Sequence, residues 1–116
     1  MQSHKDLKVW QESMTLVTQI YKITEDFPKH EIYGLTSQIR RAAVSIASNI
    51  AEGAGRKGNK EFSRFLYIAL GSLSEVETQL EISQRLNYIS HIEDENKRIY
   101  FIRNMLANLI KSINKP

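Results

Sequence analysis

Asn59-Lys60-Glu61-Phe62-Ser63-Arg64-Phe65-Leu66-Tyr67-Ile68-Ala69-Leu70-Gly71-Ser72-Leu73-Ser74-Glu75-Val76-Glu77-Thr78-Gln79-Leu80 decides the fold class. Its apolar side chains at Phe62, Leu66, Ala69, Leu73, Val76 and Leu80 recur in unbroken steps of four and three, the period that lines one face of an α-helix. A strand would need alternation in steps of two, and no such pattern runs through the stretch. Asn59 suits an N-cap, because a side-chain oxygen there can accept from a free backbone N–H of the first turn. The spacing predicts a helix over 59–87.

The same period extends outward in both directions. Toward the N-terminus, Leu35, Ile39, Ala43, Ile46 and Ile50 predict a helix over 33–53, closed by Gly53 in a left-handed conformation. Between its apolar positions stand Ala42, Ser45, Ala47, Ser48 and Ala51, side chains small enough for a neighbouring helix to come close. Before it, Leu7, Trp10, Met14, Val17 and Tyr21 form the main stripe of a helix over 6–26, which stops at Phe27-Pro28. Toward the C-terminus, Ile99, Ile102, Leu106, Leu109 and Ile113 predict a helix over 91–113, with Glu93, Asp94 and Glu95 suited to the positive end of its dipole. Four helices with short connections predict an all-α protein, an antiparallel up-down-up-down four-helix bundle, over residues 1–116 as a single domain.

This pattern settles a competing motif. Gly53-Ala54-Gly55-Arg56-Lys57-Gly58 has the G-x-G-x-x-G spacing of dinucleotide-binding loops. That fingerprint requires a preceding strand and a parallel sheet, whereas here the glycines follow a helix, so the segment is a turn.

Composition narrows the chemistry. Cysteine is absent, which removes disulfides, thiolate nucleophiles and thiolate metal sites. No apolar run approaches a membrane span or a signal peptide, and a soluble, cytoplasmic protein is expected. No acidic residue is followed three positions later by histidine, so the di-iron pattern of some bundles is missing. His4, His30 and His91 fall near the terminus or in connections, without ligand spacing. Catalytic residues, cofactor and metal are each expected to be none. One element, Arg85-Leu86-Asn87-Tyr88-Ile89-Ser90-His91, resembles the Arg-x(4–6)-His element of HEPN-type ribonucleases, in which such a pair could activate a ribose hydroxyl without metal.

Charge is unevenly spread. The net charge is +3, yet residues 29 to 64 hold seven Lys/Arg against three acids, and residues 65 to 96 hold one against six. In an antiparallel bundle, the second connection shares an end with the start of the first helix and the finish of the fourth. That end gathers Lys5, Lys8, Arg56, Lys57, Lys60 and Arg64, with Lys111, Lys115 and His4 nearby, as a candidate contact for RNA or DNA backbones. Arg40 and Arg41 are expected to pair with Glu75 or Glu77, and Glu52 with Arg56 at i,i+4. Leu16, Ile20 and Ile23, with Phe65, Ile68 and Ile82, lie beside the main seams and predict self-association.

Several stretches resemble one family. They are Asp6-Leu7-Lys8-Val9-Trp10-Gln11, Phe27-Pro28 with Glu31-Ile32-Tyr33-Gly34-Leu35-Thr36-Ser37-Gln38, Arg40-Arg41-Ala42, Ser45-Ile46-Ala47-Ser48-Asn49-Ile50-Ala51-Glu52-Gly53, and Gly71-Ser72-Leu73-Ser74-Glu75. Together they are similar to the 23S rRNA intervening-sequence protein family of four-helix-bundle proteins. The resemblance implies a ring, typically a homopentamer, and similarity to the accessory variability determinant of diversity-generating retroelements, which engages nucleic acid and a reverse transcriptase. The family supplies no agreed catalytic residues. The expectation is a non-enzymatic homo-oligomer binding nucleic-acid backbone through its basic pole. The alternatives are a protein-interaction scaffold and, after that, the Arg85/His91 ribonuclease.

Overall fold

The computed structural model describes residues 3–116. Four helices, α1 Lys8–Thr24, α2 Leu35–Ala54, α3 Asn59–Arg85 and α4 Glu93–Ile113, are preceded or linked by 3-10 turns at His4–Asp6 and Lys29–Glu31. Each helix packs on its neighbours in sequence and α4 closes against α1, which makes an antiparallel up-down-up-down bundle. The 27 residues of α3, at a rise of about 1.5 Å each, account for most of the 48 Å long axis.

The seam read from α3 is the core. Leu66, Ala69, Leu73, Val76 and Leu80 are fully buried, and they meet Ile39, Ala43, Ile46 and Ile50 of α2 and Ile99, Ile102 and Leu106 of α4. In α1 the buried stripe is Val9, Ser13, Leu16, Ile20 and Thr24, whereas Met14 and Tyr21, expected in the seam, are exposed. Leu16 and Ile20 therefore belong to the core rather than to a spare apolar face, and Phe65 is buried too. The reason is local. The Ser13 hydroxyl donates to Val9 O over 2.7 Å and the Thr24 hydroxyl to Ile20 O over 2.7 Å, so both polar side chains satisfy themselves on their own helix and can be buried.

The α2/α3 pair is the tightest. Small side chains on α2 allow it, and the Ser45 and Ser72 hydroxyls meet at 2.9 Å across the seam. Gly53 does not close α2 in a left-handed conformation: it is buried inside the helix, and a Cβ there would lie 2.8 Å from Phe65 Cβ and 3.2 Å from Phe62 O. Its missing side chain lets the two backbones converge just before the turn. The left-handed glycine of that turn is Gly58, at φ 89°.

Arg40 and Arg41 do not pair with Glu75 or Glu77. The Arg40 guanidinium lies 4.6 Å from the Tyr21 ring centroid, donates through Nε to Thr24 Oγ1 over 2.7 Å and through Nη2 to Tyr21 O over 3.2 Å. It ties α2 to the last turn of α1, whose free carbonyls attract a cation. Glu77 is taken instead by Arg103 of α4 at 2.8 Å.

Candidate nucleic-acid interface

The basic end is assembled from three segments held together by side-chain amides. Asn59 does not cap its own helix. Its Nδ2 donates to Ile113 O over 3.0 Å, occupying one of the free carbonyls at the end of α4. Asn114 returns the contact by donating to Ser63 Oγ over 3.1 Å. This pair of bonds sets the start of α3 against the finish of α4. The 3-10 turn at His4–Asp6 packs on α1 and α2. It is fixed by the Ser3 hydroxyl accepting from Lys5 N at 3.1 Å, by Gln11 Nε2 donating to Lys5 O at 2.8 Å, and by the His4 ring standing edge-on to Trp10 at 5.1 Å.

On this frame Lys5 sits in the turn, Lys8 opens α1, Arg56 and Lys57 lie in the α2/α3 connection, and Lys60 and Arg64 occupy the first turns of α3. All six are exposed. The lysines differ from the arginines in one respect: Lys5, Lys8, Lys57 and Lys60 make no ion pair among the described residues, while both arginines are engaged. Arg56 Nε donates to Glu52 Oε2 at 3.0 Å, as the i,i+4 spacing predicts. Arg64 grips Glu61 with two bonds, Nε to Oε2 at 3.0 Å and Nη2 to Oε1 at 3.3 Å. That grip holds the Glu61 carboxyl below its ordinary pKa and raises the Arg64 guanidinium above its own.

Both guanidiniums also rest on one ring. Arg56 lies 5.1 Å and Arg64 4.5 Å from the Phe65 centroid, so one buried aromatic orients two cations at the mouth of the pole. Phe65, Glu52 and Glu61 therefore position the arginines. Sequence reading had set Phe65 aside as a spare apolar residue and expected the Glu52/Arg56 pair from its i,i+4 spacing, but it did not read the i,i+3 pair of Glu61 and Arg64.

Arg85 and His91 do not form a joint centre. Arg85 Nε is bonded to Glu81 at 2.9 Å and His91 Nδ1 lies 3.8 Å from Glu93. Both side chains are largely in solvent, with no hydrogen bond between them among the described residues. Among those residues no group of three His, Cys, Asp or Glu side chains is disposed to hold a metal ion. No helix is long and apolar enough to cross a membrane.

At the opposite end, sequence reading missed a junction. Glu31 Oε1 accepts from Leu35 N at 3.0 Å and its Oε2 accepts from the Tyr88 hydroxyl at 2.8 Å. Glu31 thus caps α2 and binds the α3/α4 connection. A further bridge, equally unforeseen, joins α4 to α1: Arg98 contacts Glu12 through Nη1 and donates to Gln19 Oε1 through Nε at 2.9 Å.

The fold has a counterpart among known structures. No functionally curated protein matches the chain. A crystal structure of a protein of unknown function from the S23 ribosomal protein family, from Bacteroides thetaiotaomicron VPI-5482, superposes with a TM-score of 0.79 at 29% sequence identity, over 89% of this chain and 98% of that one. The sequence model of the 23S rRNA-intervening sequence proteins matches residues 5–112, nearly the whole bundle and all of the α2/α3 connection, and the chain belongs to that family.

Proposed function

We propose that this protein is a non-enzymatic, cytoplasmic homo-oligomer that binds RNA or DNA backbone through Lys5, Lys8, Lys57 and Lys60, with Arg56 and Arg64 held ready beside them. One observation carries the proposal. Four exposed lysines from three segments share an end of the bundle and make no ion pair among the described residues, Lys60 acting on neighbouring Glu61 only by lowering its pKa. Cations without internal partners displace counterions from a polyphosphate, and that release is the main source of sequence-independent affinity. Oligomerisation would repeat the pole and add weak contacts together. Membership of a family named for sequences within 23S rRNA supports a nucleic-acid partner, and so does the resemblance to the accessory variability determinant with its ring assembly.

The test is fluorescence anisotropy with short RNA and DNA probes over a salt series, with mass measured alongside by light scattering. Affinity that falls steeply as salt rises supports the proposal. An oligomer that retains neither probe at low salt overturns it. In that event the scaffold alternative gains, supported by exposed apolar side chains such as Tyr33, which is 94% accessible; its signature is capture of a protein partner that salt does not disturb.

A further inference from the structure

From Asn96 onward the sequence holds five Lys/Arg and no Asp or Glu. Helix α4 therefore changes character after its acidic first turn, and the change shows on the side away from the core. Lys97, Tyr100, Phe101, Asn104, Asn108 and Lys111 are spaced so that a helix of 3.6 residues per turn carries them on one stripe, and all six are exposed. At a rise of about 1.5 Å per residue the stripe is about 21 Å long from Lys97 to Lys111. It leads to the basic pole: Lys111 stands in the last turn of α4, and the Asn59 and Asn114 side chains clamp that end to the start of α3.

Three features of the stripe have no use within a single chain. The first is the pair of rings. Tyr100 is 60% and Phe101 46% exposed, with centroids 5.7 Å apart and planes at 71°. Aromatic side chains left in water forgo the burial that usually places them inside. Their edge-to-face contact covers one face of one ring at most, so ring surface remains for a third planar group. The second is charge. Lys97 and Lys111 make no ion pair among the described residues, whereas Arg98 is held by Glu12 of α1 and Arg103 by Glu77 of α3. Those two pairs neutralise a carboxylate at each edge of α4 and leave the lysines of the stripe to act outward. The third is the amides of Asn104 and Asn108. They lie between the rings and Lys111 and make no side-chain hydrogen bond among the described residues, although each offers two donors and an acceptor.

Cations at both ends of a stripe, with exposed rings and free amides between them, match a strand whose phosphates follow the lysines and whose bases are turned out. We infer that the outer face of α4 is a track for single-stranded nucleic acid, its phosphates on Lys111 and Lys97 and its bases stacked on Tyr100 and Phe101. The inference rests on the backbone binding proposed above and names the form of nucleic acid bound. Lysines alone do not separate a single strand from a duplex, since both present phosphates. Rings do, because the bases of a duplex already stack on one another, whereas unstacked bases can lie on an aromatic side chain. Stacking of this kind tolerates any sequence.

Fluorescence anisotropy on the full chain tests it, with a single strand of about 16 nucleotides, as RNA and as DNA, and with the duplex of the same sequence. The variants are Tyr100→Leu with Phe101→Leu, Lys97→Ala with Lys111→Ala, and the ring exchange Tyr100→Phe with Phe101→Tyr. Wild type should bind the single strands at least tenfold more tightly than the duplex, and the leucine pair should abolish that preference. Its duplex affinity and melting temperature should hold, since leucine favours helix and both positions face solvent. The ring exchange should keep the preference, and the lysine pair should flatten the single-strand salt slope by about 1.4. Equal affinity for single strand and duplex overturns the track and leaves the basic pole standing. A leucine pair that weakens both forms alike, or neither, also overturns it. If no probe is retained at low salt, the backbone binding itself fails and the track with it.

Discussion

Tyr88 and Glu31 join the two connections at one end of the bundle: the Tyr88 hydroxyl donates to Glu31 Oε2 over 2.8 Å, while Glu31 Oε1 accepts from the first backbone N–H of α2 at 3.0 Å. The Leu35 N–H and then the tyrosine hydroxyl hold the Glu31 carboxyl below its ordinary 4.5, and the same bond raises Tyr88 above its ordinary value. A carboxyl depressed on folding stabilises the native state above its unfolded pKa, and the effect is lost as pH falls through the folded value. Glu31→Gln should therefore melt below wild type at neutral pH, and the gap should close as pH falls below 4.5 and through the folded value. Tyr88→Phe should remove part of the same dependence. Melting curves that stay parallel at every pH would refute the assignment.

Two helical glycines should respond in opposite ways to the same substitution. Gly53→Ala places a methyl 2.8 Å from Phe65 Cβ; overpacking of this kind costs about 1–3 kcal/mol, more than the helix propensity it gains. Gly71→Ala meets nothing and should stabilise the dissociated chain by about 0.5–1 kcal/mol. Urea unfolding at low protein concentration checks both signs.

Arg98 should matter more than an ordinary surface arginine. It bridges α4 to Glu12 and Gln19 of α1 from a partly buried position, and hydrogen bonds to charged groups contribute about 1.5–3 kcal/mol. Arg98→Ala should cost about that much in urea unfolding, with fraying concentrated at the α1/α4 seam in hydrogen exchange. A loss below about 0.5 kcal/mol would place this bridge with typical exposed pairs.

At the basic pole, lysines and arginines should separate in the salt series. Each phosphate contact made by a lysine contributes a slope of about −0.7 to −0.9, so Lys57→Ala with Lys60→Ala should flatten it by about 1.5. Arg56 and Arg64 already hold Glu52 and Glu61, and their paired removal should flatten the slope less. Phe65→Leu keeps the burial but removes the ring on which both guanidiniums rest. Its effect on binding should match that of the arginine pair. An equal slope for all variants would move the contact elsewhere.

The four helices and the core seams of α2, α3 and α4 were legible in the sequence because periodicity is a property of the chain alone. Leu66, Ala69, Leu73, Val76 and Leu80 could share a face only on a helix, and all of them are buried. The Glu52/Arg56 pair was legible for the same reason, since four residues make one turn. What lay beyond reach was everything set by the meeting of distant segments. Which stripe of α1 faces inward turned on Ser13 and Thr24 satisfying their own helix, a bond that composition does not reveal. Asn59 looked like a cap and became a clamp on α4, because the carbonyl it serves is fifty-four residues away. Gly53 and Gly71 are the same residue in the same kind of helix. Only the tertiary structure distinguishes the one pressed against Phe65 from the one left open, because the difference lies wholly in what packs above the missing side chain.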